Sequence, residues 1–125
     1  MINTDCIVKV ADFVHARFID KVMKEDSKPQ GHPVEQLWYL APDVLMGSSS
    51  FLKERDIWSL GCVFGELLLS KPLFPGRSSM SQLEKIFEVT GLPSHEDILA
   101  ISSNYAETII ESITIPEKRS LTQEL

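Results

Sequence analysis

The first positions of the chain alternate. Cys6, Val8 and Val10 fall on one side and Ile7, Lys9 and Ala11 on the other, the period of two that a half-buried β-strand requires. Asp12 stands where that strand would end. Beyond Arg17 the pattern dissolves. Phe18 to Gln36 mixes charge with two prolines and a glycine and sustains neither period, which predicts a long surface loop. Pro42 suits the first turn of a helix, where its absent N–H costs no hydrogen bond, and Gly47 suits the end, so Pro42 to Met46 reads as a short helix.

Arg55-Asp56 then opens a longer helix, with Asp56 placed as an N-cap whose carboxylate can accept first-turn N–H groups. From Ile57 through Leu69 apolar side chains occupy every face at 100° per residue, and a helix apolar all round needs cover on all sides. Pro72 and Pro75 break it. Met80, Leu83, Phe87 and Thr90, with Ile86 beside them, repeat at helical spacing up to Gly91 and Pro93, the pattern of an amphipathic helix. Ser94-x-x-Asp97 and Asn104-x-x-Glu107 resemble N-terminal caps, predicting short helices over Ile98 to Ile101 and Tyr105 to Ile113. The fold class that emerges is mainly α with a short β element.

Composition narrows the function. The formal net charge is −6, and residues 56–125 hold 5 Lys+Arg against 10 Asp+Glu, a poor match to a phosphate backbone, so no nucleic-acid partner is expected. The most apolar run, Ile57 to Leu69, is too short to span a bilayer and carries Glu66. No basic stretch precedes an apolar one at the N-terminus, so no secretory leader is read. Cys6 and Cys62 read as two separate core thiols, which implies a reducing setting, cytoplasmic or nuclear. His95-Glu96 begins like a zinc motif, but Leu99 stands where the second histidine would be. His15 and His32 are isolated, and no Gly-rich phosphate loop follows a strand.

What carries chemistry is the order of several short motifs. "ADF" follows the predicted strand; then come the long loop, "WYLAPD", "RDIWSLGC" and "LFPG". This order resembles the C-terminal lobe of a Ser/Thr protein kinase, with "ADF" in the place of Asp-Phe-Gly and "APD" in the place of Ala-Pro-Glu. "LFPGRSSMSQLEKIFEVTGLPSHEDIL" is similar to the MAP-kinase and cyclin-dependent-kinase group, and "FEVTGLPSHEDILAI" with "IIESI" to the atypical extracellular-signal-regulated branch of the MAP kinases. The resemblance implies a partial kinase domain over residues 1–125. It places the strand and Asp-Phe motif in 1–17, an activation-segment-like loop in 18–43, the short and central helices in 44–75, and a truncated MAP-kinase-type helical region in 76–125.

Carried onto this sequence, the resemblance implies that Asp12 is the carboxylate that holds Mg²⁺ on the ATP phosphates. Trp38, Tyr39, Ala41 and Pro42 match the platform that receives substrate. Asp43 stands where a glutamate pairs with a late arginine. Asp56 matches an aspartate that supports the catalytic loop, and Trp58 is structural in the same helix. The departures are as informative. Val14 replaces a glycine, and if that position requires φ > 0 a β-branched residue there is strained by about 1–3 kcal/mol. Gly31, His32 and Pro33 occupy the phosphorylation motif with no hydroxyl among them, and Gln36, Leu37 and Leu40 replace a threonine and two arginines.

Nothing in the chain resembles the Gly-rich loop, the strand lysine with its helix glutamate, or the catalytic loop that supplies base and second metal ligand. ATP and Mg²⁺, implied by the family, are therefore not expected to be held by this chain alone, and the chain alone is expected to be inactive. Four readings follow: a truncated and partly degenerate MAP-kinase-like lobe, a pseudokinase-type module that binds proteins through its platform or its Met80 to Thr90 helix, a fragment whose N-lobe and catalytic loop come from another chain, or an incomplete gene product. If the central helix lacks neighbours, about four large side chains stay wet at about 1.5–3 kcal/mol each, and the fold depends on a partner.

Overall fold

The structure, a computed structural model, describes residues 1–14, 16, 34–48, 50, 52–114 and 118–123. His15, His32, most of the predicted activation-segment loop and its Gly31-His-Pro33 motif lie outside the described residues. The described elements are helical: α1 (Val34–Leu37), α2 (Pro42–Leu45), α3 (Glu54–Leu69), α4 (Ser79–Thr90), α5 (His95–Ala100), α6 (Ala106–Ser112) and a 3-10 turn at Leu121–Gln123. The mainly helical fold read from the sequence is what forms.

The expected strand does not develop. Residues 1–14 fold back as a small hairpin with one antiparallel bridge, Ile2 to Val8, and the amino group of Met1 donates to the Lys9 carbonyl at 2.9 Å. Asn3 holds the turn, its Oδ1 accepting from the N–H groups of Ile7 at 2.8 Å and Asp5 at 3.1 Å. Every residue from Met1 to Val14 is exposed. Alternation describes a surface with two faces, but it buries one of them only when a sheet or a helix layer lies against it, and among the described residues none does. Cys6, read as a core thiol, is accordingly exposed, whereas Cys62 is buried as expected.

The core is made where α4 meets α2, the turn after α3 and the start of α6. Leu83 and Ile86 are fully buried on α4, with Phe87 beside them, and Met46, Cys62, Leu73, Phe74, Ala106 and Ile113 complete the cluster. Helix α4 starts on Ser78, whose side chain accepts the Ser81 N–H at 3.2 Å, and stops at Gly91, which takes φ +79. Helix α2 carries Pro42 at its start and Gly47 at φ +81 just past its end, as the sequence indicates.

Two cap assignments are corrected. Helix α3 begins at Glu54 after Lys53, so Asp56 sits inside the first turn, exposed, where a carboxylate still favours the positive end of the helix dipole but caps nothing. Tyr105, with no side-chain cap bond, precedes α6 in place of Asn104. The Ser94 box does form: Ser94 Oγ accepts from Asp97 N–H at 3.2 Å and Asp97 Oδ2 accepts from Ser94 N–H at 3.0 Å, and the helix starts at once with His95. Ser94 Oγ also donates to Asp97 Oδ2 at 2.6 Å, and this bond, with the one from the Ser94 N–H, holds the Asp97 carboxyl below its ordinary range. Replacing Ser94 by alanine is expected to fray α5 alone, read as several-fold faster amide exchange at Asp97 and Ile98 with the melting of the core unchanged.

Helix α3 is the anomaly. Its sequence is apolar on every face, yet the structure covers one side. Cys62 is buried and Trp58 stacks on Phe74 with ring centroids 6.0 Å apart, while Ile57, Leu60, Val63, Phe64, Leu67 and Leu68 remain 43–68% exposed. The uncovered side is larger than the four wet side chains expected from the sequence.

Candidate functional site

The segment Trp38 to Asp43 is held at several points. Trp38 Nε1 donates to the Gly76 carbonyl at 2.8 Å, and Gly76 N–H in turn donates to Oε1 of the fully buried Gln82 at 3.0 Å. Tyr39 Oη donates to Glu66 Oε2 at 2.7 Å, and the Tyr39 carbonyl accepts from Ser59 Oγ at 2.8 Å. Ala41 is buried and Pro42 starts α2. Asp43 Oδ2 accepts from Arg55 Nε at 2.8 Å and lies 2.7 Å from the second guanidinium nitrogen. Among the described residues the partner of Asp43 is thus Arg55, in the first turn of α3. Short bonds from α3, α4 and the intervening turn fix this platform, and because they cross between elements its shape is a property of the tertiary packing.

The electrostatics follow from the geometry. The bond to Glu66, then burial, then the negative charge of Glu66 push the Tyr39 phenol up to about 12 from its ordinary 10.0. Burial chiefly, with a smaller contribution from Glu66, pushes the Cys62 thiol up to about 11 from 9.0. Both groups bind their protons more tightly folded than unfolded, so they stabilise fully below pH 9 and lose that contribution as pH rises through their folded values. Thermal melting is therefore expected to fall between about pH 9 and 12, and the Tyr39→Phe variant to lose the upper part of that fall. A melting temperature flat across this range would contradict the Tyr39–Glu66 bond.

Asp12 lies apart. It is exposed, takes φ +66, and its Oδ1 is 3.4 Å from the Val14 N–H. The positive φ thus falls on the aspartate, a residue that tolerates the left-handed region, and Val14 escapes the strain expected for it. Among the described residues no hydrogen bond joins Asp12 to the platform, and no three His, Cys, Asp or Glu side chains converge where a metal could be held. Around Asp12 the described residues bring together no set of side chains that matches the ligands a kinase places on Mg²⁺ and the ATP phosphates. Asp56 likewise projects from the start of α3, exposed. Trp58 stacks on Phe74.

Sequence reasoning passed over Glu66, Ser59, Gly76 and Gln82, which hold the platform. A signal existed for the first: Glu66 is the one charge in the run from Ile57 to Leu69, and a lone carboxylate inside an apolar helix needs a donor. Gln82 had no such signal, because its burial arises from the approach of the turn at Gly76.

Comparison with known proteins agrees with these motifs. The protein kinase domain family matches residues 1–124. The chain is 46% identical over 127 residues to extracellular signal-regulated kinase 2 of Dictyostelium discoideum, covering 98% of this chain and 34% of that protein. It is 39% identical to mitogen-activated protein kinase 15 of Xenopus laevis, covering 94% of this chain and 20% of that one. The chain therefore spans about a third or less of the length of these relatives. Among solved structures, a MAP kinase of Leishmania major superposes with a TM-score of 0.63 at 38% identity, over 73% of this chain and 30% of that one. With the platform, the central helix and the Phe-Pro-Gly turn in the order that the motifs require, the chain belongs to the protein kinase domain family, as a MAP-kinase-like Ser/Thr kinase domain fragment.

Proposed function

We propose that the chain supplies the substrate platform of a Ser/Thr protein phosphotransferase of the MAP-kinase group and that it transfers no phosphate by itself. Trp38, Tyr39, Ala41 and Pro42 form the surface for the polypeptide substrate, and Asp12 is the carboxylate that meets the Mg²⁺ of bound ATP once the remaining lobe is in place. The observation that carries this reading is the contrast between the two. The platform is fixed by bonds of 2.7–3.0 Å among Trp38, Tyr39, Ser59, Glu66, Gly76 and Gln82, whereas Asp12 stands exposed on the hairpin. Phosphoryl transfer depends on positioning several charged groups around the phosphates at once, and one exposed carboxylate does not do that.

A second reading, a protein-binding module without activity, is favoured by the uncovered side of α3. The Met80 to Thr90 helix supports it less, since its apolar side faces the core. Either way the partner is a protein, in a cytoplasmic or nuclear setting; no helix among the described residues is long and apolar enough to cross a membrane. The test is phosphorylation of a mixed Ser/Thr peptide pool with ATP and Mg²⁺. The chain alone is expected to give none. Mixed with a polypeptide carrying the Gly-rich loop, the strand lysine and the catalytic loop of a MAP kinase, it is expected to give activity that Asp12→Asn abolishes. Activity of the chain alone would overturn the proposal. Silence of every mixture would leave the binding-module reading in its place.

A further inference from the structure

Helix α4 carries no basic residue in its last turn, where helix carbonyls run out of intrahelical donors. Arg119, in the segment that follows α6, reaches that turn from far along the chain. Its N–H donates to the Glu88 carbonyl at 2.7 Å, and its Nη1 donates to the Leu73 carbonyl at 2.9 Å in the turn after α3. Two residues further on, Leu121 packs against the core. One residue thus ties the end of α4 to the turn that follows α3.

Leu73 is where this fastening bears on the platform. Its side chain is buried against α3, so that a Cβ built on Gly65 would stand 2.9 Å from Leu73 Cδ2. The residue after Gly65 is Glu66, which accepts from Tyr39 Oη at 2.7 Å. Three residues along the turn from Leu73 is Gly76, whose carbonyl accepts from Trp38 Nε1 at 2.8 Å. Leu73 therefore lies between two side-chain anchors of the platform, reaching Tyr39 by way of Gly65 and Glu66 and Trp38 by way of the turn.

We propose that Arg119 is a positioning residue for the substrate platform: by holding the Leu73 carbonyl it sets the turn against α3, and with it the placement of Trp38 and Tyr39 toward the polypeptide substrate. This role rests on the reading of Trp38 to Pro42 as the substrate surface. Arginine suits it. The guanidinium keeps its charge and donates in a fixed plane, so its bond to a neutral carbonyl is stronger than a bond between two neutral groups. Coupling between separate positions runs through packed side chains and hydrogen bonds in contact, and the series from Arg119 through Leu73, Gly65 and Glu66 to Tyr39 is contiguous in that sense.

The test is solvent exchange on the full 125-residue chain, followed by NMR at the Trp38 indole N–H and the Gly76 amide. Arg119→Ala keeps the backbone bond to Glu88, so the segment stays on α4 and the side chain's hold on Leu73 is lost. Exchange is expected to become about tenfold faster at both groups, a value at the low end for one charge-assisted bond, with the α5 amides unchanged. Arg119→Lys, which keeps the charge, is expected to restore most of the difference. Ile110→Val, which thins the core from α6, is expected to leave the ratio of Trp38 to α5 exchange as in the wild type. In the active mixture with the remaining kinase segments, Arg119→Ala is expected to raise the peptide KM about tenfold with kcat within about twofold, since a misplaced surface weakens binding whereas a smaller folded fraction lowers kcat.

Unchanged exchange at Trp38 and Gly76 in Arg119→Ala, a rise shared equally by α5, or an active mixture whose KM does not move would each overturn the proposal. Should Arg119→Ala not fold, Arg119→Gln, neutral and shorter, is read in the same way with the same outcomes. Silent mixtures together with faster Trp38 exchange would support the hold of Arg119 on the platform and remove only the phosphotransferase reading of that surface.

Discussion

Replacing Gly76 by alanine is expected to lower the stability of the chain by about 2–6 kcal/mol, enough to move a urea midpoint by about 1 M or more. The new Cβ would stand 2.5 Å from Gln82 Cα, 2.5 Å from Gln82 Oε1 and 2.6 Å from Gln82 N. Two of those atoms are backbone in the first half of α4, so relief requires the turn and the helix to separate. Such separation stretches the Gly76 N–H bond to Gln82 Oε1 and withdraws the Gly76 carbonyl from Trp38 Nε1. Overpacking contributes about 1–3 kcal/mol and each weakened bond about 0.5–1.5 kcal/mol. The loss spreads to the platform, and near-UV circular dichroism of the indole bands should change along with the midpoint. A variant that melts like the wild type would mean that the Gly76–Gln82 approach is looser than 3.0 Å.

Two phenylalanines are expected to part company under the same substitution. Phe87→Ala should cost about 3–5 kcal/mol, because Phe87 is 4% exposed in the cluster with Leu83, Ile86 and Leu73 and its removal leaves a cavity under α4. Phe64→Ala should cost less than about 1 kcal/mol, because its ring is already 61% exposed on α3. Denaturant titration separates the two. Equal costs would show that α3 is covered in the free chain. Against a typical total of about 5–15 kcal/mol, the first substitution alone removes much of the fold.

That pair also marks the limit of periodicity. The repeat Met80, Leu83, Phe87 with Ile86 beside it describes one apolar side, and α4 buries that side in the way the spacing requires. The run from Ile57 to Leu69 has no polar side, so its pattern declares that the helix needs cover without saying from where. Cover reached the side of Cys62 and Trp58, through Leu73, Phe74 and α4, and left the opposite side wet. The first strand failed for a related reason: Cys6, Val8 and Val10 alternate correctly, but no layer lies over them among the described residues.

Local chemistry was legible at several helix ends. Pro42 and Gly47 bound α2, Ser94 and Asp97 close their box, and Gly91 ends α4, because each depends on backbone geometry and partners within four residues. Motif order was legible too, and it carried the family. The start of α3 was not, since a carboxylate at Asp56 favours the helix dipole from inside the first turn as well as from its edge, and the chain started its helix earlier. Nor could the sequence pair Tyr39 with Glu66, Asp43 with Arg55 or Trp38 with Gly76, contacts separated by 27, 12 and 38 residues. Residue order was enough for most of the helices, for several of their ends and for the kinase family of the chain. Folding in three dimensions chose which faces became core, which side chains fix the platform, and that Asp12 stands apart from it, because burial and long-range hydrogen bonds depend on what lies opposite a residue in space.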